Sequence, residues 1–453
     1  MKPTLGSNTL KDGKPQRILL ECGNTLISGA NTGIQRVARN LAREGIIVAE
    51  DLGLICEPVL IMHGRLRMAN NWLSQMESDA AIKSQVKPKK HSNLEASPKP
   101  KSTFQRLFSL LNPANFRRVA TRELRTLKSP RLNLISGDVL VLTDVWWFDD
   151  HLKLQQEAIR QGATTGIIVY DLLPIRHPEF FNPAFDHQFQ TFLDHYIQTS
   201  QFMLTISETV ALDLRSYVLE RFGEETVKAL HIEPFRLGSD LDLVSEKQTV
   251  SADVQAFFTQ AGQPPPYLTV GTVEPRKNHK YLLDAFELAW SHCPNTRLCI
   301  VGRPGWLNED VIQRIRRHPR LGKQLIWFSN AEDYDLKFCY EHAKALVFTS
   351  HAEGFGLPLI EGLRYHLPVF ASDIPVHRET GGPYCSYVDL ANPEDLARMI
   401  IDEEKTGVFP KVKPWSSDQL VDWNSSAREF LRKCRNAAEL TRTQSAPPHM
   451  NPK

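Results

Sequence analysis

No two cysteines stand in a C-x-x-C arrangement; the seven present are scattered and mostly set in apolar runs. A disulfide framework and a zinc knuckle are therefore not expected, and a reduced, cytoplasmic compartment is. The polar start "MKPTLGSNTLKDGKPQ" lacks an apolar segment, so no signal peptide is expected. Nowhere do about 20 apolar residues run uninterrupted, so no membrane-spanning helix is expected. An excess of one charge is missing too: 54 Lys and Arg stand against 52 Asp and Glu, a net charge of +2. Nothing in that balance points to nucleic acid.

What the chain does have is alternation. Short apolar runs ("RILLECG", "CEPVLIMHG", "DVLVLTD", "TTGIIVYDLLP", "QFMLTIS", "ALHIEPF") interleave with helical periods such as "GIQRVARNLAREG" and "ETVALDLRSYVLERFG". After "QAGQPPP", which breaks all periodicity, the alternation resumes with "YLTVGTV", "RLCIVGRPG", "QLIWFSN", "ALVFTS", "LPVFASD" and "CSYVDL". Apolar strands alternating with helices predict α/β domains with parallel sheets covered on both faces. A chain of 453 residues exceeds one ordinary core. Two Rossmann-like domains facing a cleft are predicted: residues 17–248 and 267–441, the second including the final helix. A linker is expected at 249–266, with disordered ends at 1–16 and 442–453. Residues 83–131 interrupt the first domain with a Lys- and Arg-rich insertion whose second part, "FQRLFSLLNPANFRRVATREL", is amphipathic.

The chemistry concentrates in "HAEGFGLPLIEG", between two apolar runs. A helix entry made of Gly354, Phe355 and Gly356 offers free N–H groups and a favourable dipole to an anion. Glu353 and Glu361 flank it, and carboxylates accept strongly from hydroxyls. Phosphate together with hydroxyls describes a sugar nucleotide. "GTVEPRKNH" follows the first strand of the second half, where Arg276 and Lys277 can neutralise charge developing on a departing diphosphate. The turn "SGANTGIQR" after the first strand has Gly29 and Gly33 but no G-x-G-x-x-G, so a nicotinamide fingerprint is not supported. Two acidic D-x-D patterns (Asp240/Asp242 and Asp333/Asp335) are read as helix starts or loops rather than metal ligands.

"HAEGFGLPLIEG", "VGTVEPRKNHKYLLDAFE", "YDLLPIRHPEFF", "TISETVALDL" and "FRLGSD" occur in the order found in retaining glycosyltransferases of family four, and the chain resembles the bacterial O-antigen and exopolysaccharide enzymes among them, many of them mannosyltransferases. The resemblance covers about residues 17–426, the basic insertion apart. It implies a GT-B fold, donor in the second domain and acceptor in the first. It also implies transfer of a hexose, mannose from GDP-mannose, to a growing cell-surface polysaccharide or lipid-linked saccharide. Lys277, Arg276 and Glu353 would be catalytic. Glu361 would hold the ribose, and Gly354, Phe355, Gly356, Leu357, Gly33 and Thr272 would border the donor. Thr272 stands where many relatives carry arginine, and Tyr170 where they commonly carry histidine. Tyr170, Asp171, Asp144 and Trp146 are acceptor-side candidates, with packing at least an equal reading for Asp144 and Trp146 and an alternative for Tyr170. No cofactor beyond the donor, no metal and no nucleic acid are implied. An anionic membrane surface, met through residues 83–131 at the inner face of the plasma membrane, is a further expected partner. A sugar-nucleotide epimerase and a non-catalytic GT-B partner stand as alternatives.

Overall fold

The computed structural model describes residues 16–28, 32–62, 64–69, 129–241 and 249–443. The expected disordered ends (apart from their boundary residues), Gly29, Asp242 and nearly all of the basic insertion lie outside the described residues.

Thirteen strands form two sheets among these residues. The first contains β1 (Gln16–Glu21), β2 (Leu54–Met62), β3 (Arg65–Met68), β4 (Val139–Leu142), β5 (Thr164–Val169), β6 (Phe202–Thr205) and β7 (His231–Pro234), ordered β3-β2-β1-β4-β5-β6-β7. All its pairs are parallel except β2–β3, an edge hairpin that the sequence pattern did not announce because "RLRM" is short and half charged. The second contains β8 (Tyr267–Val270), β9 (Leu298–Val301), β10 (Leu325–Phe328), β11 (Ala345–Phe348), β12 (Val369–Ser372) and β13 (Ser386–Val388), ordered β10-β9-β8-β11-β12-β13 and wholly parallel. Strands β4, β5 and β11 are buried along their whole length, as strands covered on both faces are. In each sheet the strand order reverses beside the first strand of the domain. Open α/β sheets bind ligands at that switch point, outside the carboxyl ends of the strands.

Two expected boundaries are corrected. The segment 249–266 is not a bare linker: helix Ala252–Phe258 buries Val254, Phe257 and Phe258 in the core of the second sheet. The final helix, Trp423–Thr443, does not stay with the second domain. It crosses back and buries Trp423, Ala427, Phe430, Leu431 and Cys434 among Ile18, Leu20, Val37 and Leu41 of the first. Its Trp423 indole lies so close to Gly238 that a Cβ there would come within 2.5 Å, and its Nε1 donates to the Asp240 carbonyl at 3.0 Å. An apolar stripe at helical spacing says that a helix must be covered; it does not say by which sheet.

Candidate active site

After β8 the chain turns sharply at Gly271–Val273. Gly302 makes room for this turn: a Cβ there would sit 1.8 Å from the Gly271 carbonyl oxygen. Thr272 lies in that turn, its methyl facing Gly305. A single 3-10 turn, Pro275–Lys277, then brings Arg276 and Lys277 over the end of the sheet, and Asn278 caps the following helix His279–His292. From the other side, β11 runs into "SHAEGFG". Gly356 adopts φ +91°, a left-handed conformation that suits glycine, and starts helix Leu357–Arg364. Pro358 sits in its first turn, where no donor is required.

These two turns converge on Glu353. Arg276 donates to its Oε2 at 2.5 Å and Lys277 to its Oε1 at 2.5 Å. Arg276 also donates to Glu274, a buried acid that the sequence reading passed over, at 2.8 Å and to the Ala352 carbonyl at 2.9 Å. Burial alone would raise the Glu353 carboxyl, but Arg276 and Lys277 hold it well below the ordinary carboxylate range. Burial lowers the Lys277 ammonium, and Arg276 adds to that against the pull of Glu353. Arg276 moves the other way: Glu353, Glu274 and Asp171 outweigh its desolvation. Both cations are thus concentrated, half-buried charge at the carboxyl edge of the second sheet.

The first domain closes on the same loop. A Cβ at Gly354 would meet the Tyr170 carbonyl oxygen at 2.2 Å, and Ser207 Oγ donates to the Gly354 carbonyl at 2.7 Å. Phe355 and Leu357 pack on the first domain's core. Asp171 accepts from the Leu173 N–H at 3.1 Å; burial raises its carboxyl, countered by Arg276 across the cleft. Of the four acceptor-side candidates, Asp171 alone is placed beside the Glu353 cluster. The Tyr170 hydroxyl turns inward and donates to the Thr143 carbonyl at 2.5 Å, in the core. Trp146 is 1% exposed, with its Nε1 on the Ile168 carbonyl at 2.9 Å. Asp144 is buried and accepts from the Val145 and Thr25 N–H groups. All three bond the first domain to itself, which corrects their reading as cleft-facing groups.

Glu361 is buried within helix Leu357–Arg364, and its two oxygens already have partners. Tyr340 Oη donates to one at 2.6 Å; Arg36, from helix Gly33–Ala49 of the first domain, donates to the other. Arg36 also donates to the Asp240 carbonyl at 2.7 Å. Gly33 is exposed, with open space around it. The residue of that turn that reaches Glu361 is Arg36, three residues on, which "TGIQR" did not distinguish from any other helix-surface arginine. Two of the D-x-D acids bond the backbone. Asp240 caps the Trp423 N–H at 3.0 Å and Asp335 accepts from Ser251 N at 2.7 Å. Among the described residues no group of three or more His, Cys, Asp or Glu could hold a metal ion.

Two histidines flank the cluster. His279 is buried, pushed down to about 3 by desolvation and then by Lys277; His377 is buried, pushed down to about 4 chiefly by desolvation. Both are neutral in the fold. An unfolded chain protonates them near pH 6.5, so their contribution to stability is complete above that pH and is lost as pH falls toward the folded values. Unfolding free energy should therefore fall by about 1.4 kcal/mol per pH unit for each below pH 6.5. Denaturant titrations at pH 7.5 and 5 check this; equal stability at both would show that the imidazoles are not held neutral.

Residues 253–411 match the model of the family described as glycosyl transferases group 1. A serotype-specific mannosyltransferase, WbdA of Escherichia coli, is 33% identical over 301 residues, which is 65% of this chain and 37% of the relative. The chain thus spans little more than a third of that relative's length. Among solved structures, Anabaena HepE in complex with UDP-glucose superposes with a TM-score of 0.52 at 14% identity, covering 95% of this chain and 100% of that one. Sucrose-phosphate synthase from Thermosynechococcus elongatus gives 0.52 at 16% identity, covering 94% of each chain. Residues 253–411 accordingly form a glycosyl transferases group 1 domain, carried in a chain with the two-sheet GT-B fold.

Proposed function

We propose that the chain is a mannosyltransferase that moves mannose from GDP-mannose to a growing cell-surface polysaccharide with retention of configuration. The observation that carries this reading is the convergence of Arg276 and Lys277 on Glu353 at the switch point of the second sheet, opposite Asp171. The likeness to a serotype-specific mannosyltransferase supports the choice of sugar. Lys277 and Arg276 stabilise the departing diphosphate, the largest electrostatic demand of such a transfer. Glu353 holds hexose hydroxyls, the backbone of Phe355, Gly356 and Leu357 borders sugar and phosphate, and Glu361 accepts from the ribose once Arg36 yields its place. In the transfer step the bond from C1 to the phosphate oxygen breaks as the acceptor oxygen bonds C1 on the same face. The acceptor's proton passes to the departing phosphate oxygen.

A thermal-shift screen of GDP-, UDP- and dTDP-sugars tests the donor. GDP-mannose at a hundred times its Kd should stabilise the protein by about 2.7 kcal/mol, while a preference for a UDP-sugar would replace the base assignment. With two cations in place, transfer should continue in EDTA; complete loss restored by manganese would overturn metal independence.

No helix among the described residues is long and apolar enough to cross a membrane. Attachment to an anionic membrane through residues 83–131 is proposed from their sequence: Phe104, Leu107, Phe108 and Leu111 recur at helical spacing, followed by Arg117, Arg118, Arg122 and Arg125. Each cation near such a surface contributes about 1 kcal/mol, screened by salt. Anionic vesicles should bind the protein at low salt and lose it when 83–131 is replaced by a short linker. Equal binding without the segment would remove the membrane role.

A further inference from the structure

His377 lies in helix Pro375–Gly381, after β12, and is completely buried. Its Nδ1 is 3.0 Å from Ser372 Oγ and 3.1 Å from the Ser372 carbonyl. Ser372 Oγ spends its own proton on the Ser350 carbonyl at 2.6 Å. It can therefore only accept from the imidazole, and the carbonyl can only accept. The proton of the neutral ring is thus fixed on Nδ1, which leaves Nε2 with a lone pair. Nε2 has no hydrogen-bond partner among the described residues. The Cδ2–Nε2 edge faces Gly356, the start of the donor-side helix: a Cβ built there would lie 3.4 and 3.5 Å from those two atoms. The ring packs on Phe348, over which the Lys277 ammonium also sits, at 5.0 Å. The charges that act on it are Glu353, Lys277 and Arg276, at the end of the helix away from Glu361.

A buried acceptor without a partner is costly, so it is retained where something supplies the donor. Diphosphate oxygens at neutral pH offer no proton; a pyranose hydroxyl does. We propose that His377 Nε2 accepts a hydrogen bond from a hydroxyl of the transferred hexose and so helps to select the sugar. The inference rests on the donor reading above. It places His377 beside Glu353 as a hexose contact, held in its acceptor tautomer by Ser372 and Ser350.

The test is calorimetric binding of GDP and of GDP-mannose to the full chain, its His377→Phe variant and its His377→Gln variant. Phenylalanine keeps the packing on Phe348 and removes the acceptor. Glutamine can return an acceptor oxygen near the position of Nε2. Loss of one neutral hydrogen bond predicts that His377→Phe weakens GDP-mannose about five- to tenfold. GDP should stay within about twofold, which also shows that the variant is folded, and His377→Gln should regain part of the loss. Equal weakening of GDP and GDP-mannose in both variants, or unchanged GDP-mannose in His377→Phe, overturns the assignment. Native protein that ignores GDP-mannose while binding another sugar nucleotide overturns the donor reading alone, and the same comparison is then made with that sugar nucleotide and its parent diphosphate.

Discussion

Lys277→Ala should lower kcat by roughly a hundredfold or more, the scale on which removal of one preorganised stabiliser of developing charge is felt. The structure explains why the loss should fall on the chemical step. Lys277 is half-buried, its ammonium is held 2.5 Å from Glu353, and desolvation has already weakened its hold on its proton. Such a charge is costly to maintain and interacts strongly with any negative charge that grows beside it. Arg276 keeps its own bonds to Glu353, Glu274 and Ala352, so the loop should keep its shape when Lys277 is removed. KM should change much less than kcat. Steady-state kinetics decide the matter: an unchanged kcat with a raised KM would reduce Lys277 to a binding group.

Glu361→Ala should act twice. Removing the carboxylate takes a charged hydrogen bond from the ribose, weakening nucleotide binding by about 1.5–3 kcal/mol, or roughly ten- to a hundredfold. It also takes one partner from Arg36, which keeps its bond to the Asp240 carbonyl, and the acceptor of the Tyr340 hydroxyl, both at the junction of the domains. Deleting one partner of a fully buried pair costs about 3–5 kcal/mol, and this half-buried pair should cost less than that. Sequence reasoning expects weaker binding in an otherwise sound protein; the Arg36 contact adds the loss of stability. The double variant Arg36→Ala/Glu361→Ala separates the two effects, since it removes the guanidinium along with the carboxylate. Stability should then recover while nucleotide affinity stays low. Affinity that returns together with stability would mean that Glu361 serves the domain junction and not the nucleotide.

The parts of this site that were legible are local. "ALVFTS" followed by "HAEGFGLPLIEG" is a strand, a glycine turn and a helix in any context, because apolar runs, left-handed glycine and first-turn proline each act within a few residues. Glu353, Arg276 and Lys277 therefore emerged from the sequence in the positions where the structure brings them together. The parts that were missed depend on distant partners. Arg36 and Glu361 are 325 residues apart, and no periodicity in either helix names the other. His377 reads as one polar residue on a short helix until Ser372, Ser350 and Gly356 are seen around it. At the ends of β4 and β5 the error ran the other way. Asp144, Trp146 and Tyr170 stand where ligands usually bind, but their side chains bond backbone groups of the first domain. The final helix shows the same limit: Trp423 and Phe430 require burial, and only the assembled fold shows that the first sheet provides it.

Transfer itself tests the account most directly. The purified full chain is incubated with GDP-mannose and a mannose-terminated oligosaccharide, and the product's new anomeric centre is read from its one-bond carbon–hydrogen coupling by NMR. The account predicts a lengthened saccharide with an α-mannosyl linkage, matching the α-linked donor, and release of GDP. A β-linked product, or conversion of the donor sugar with no transfer to the saccharide, would contradict it.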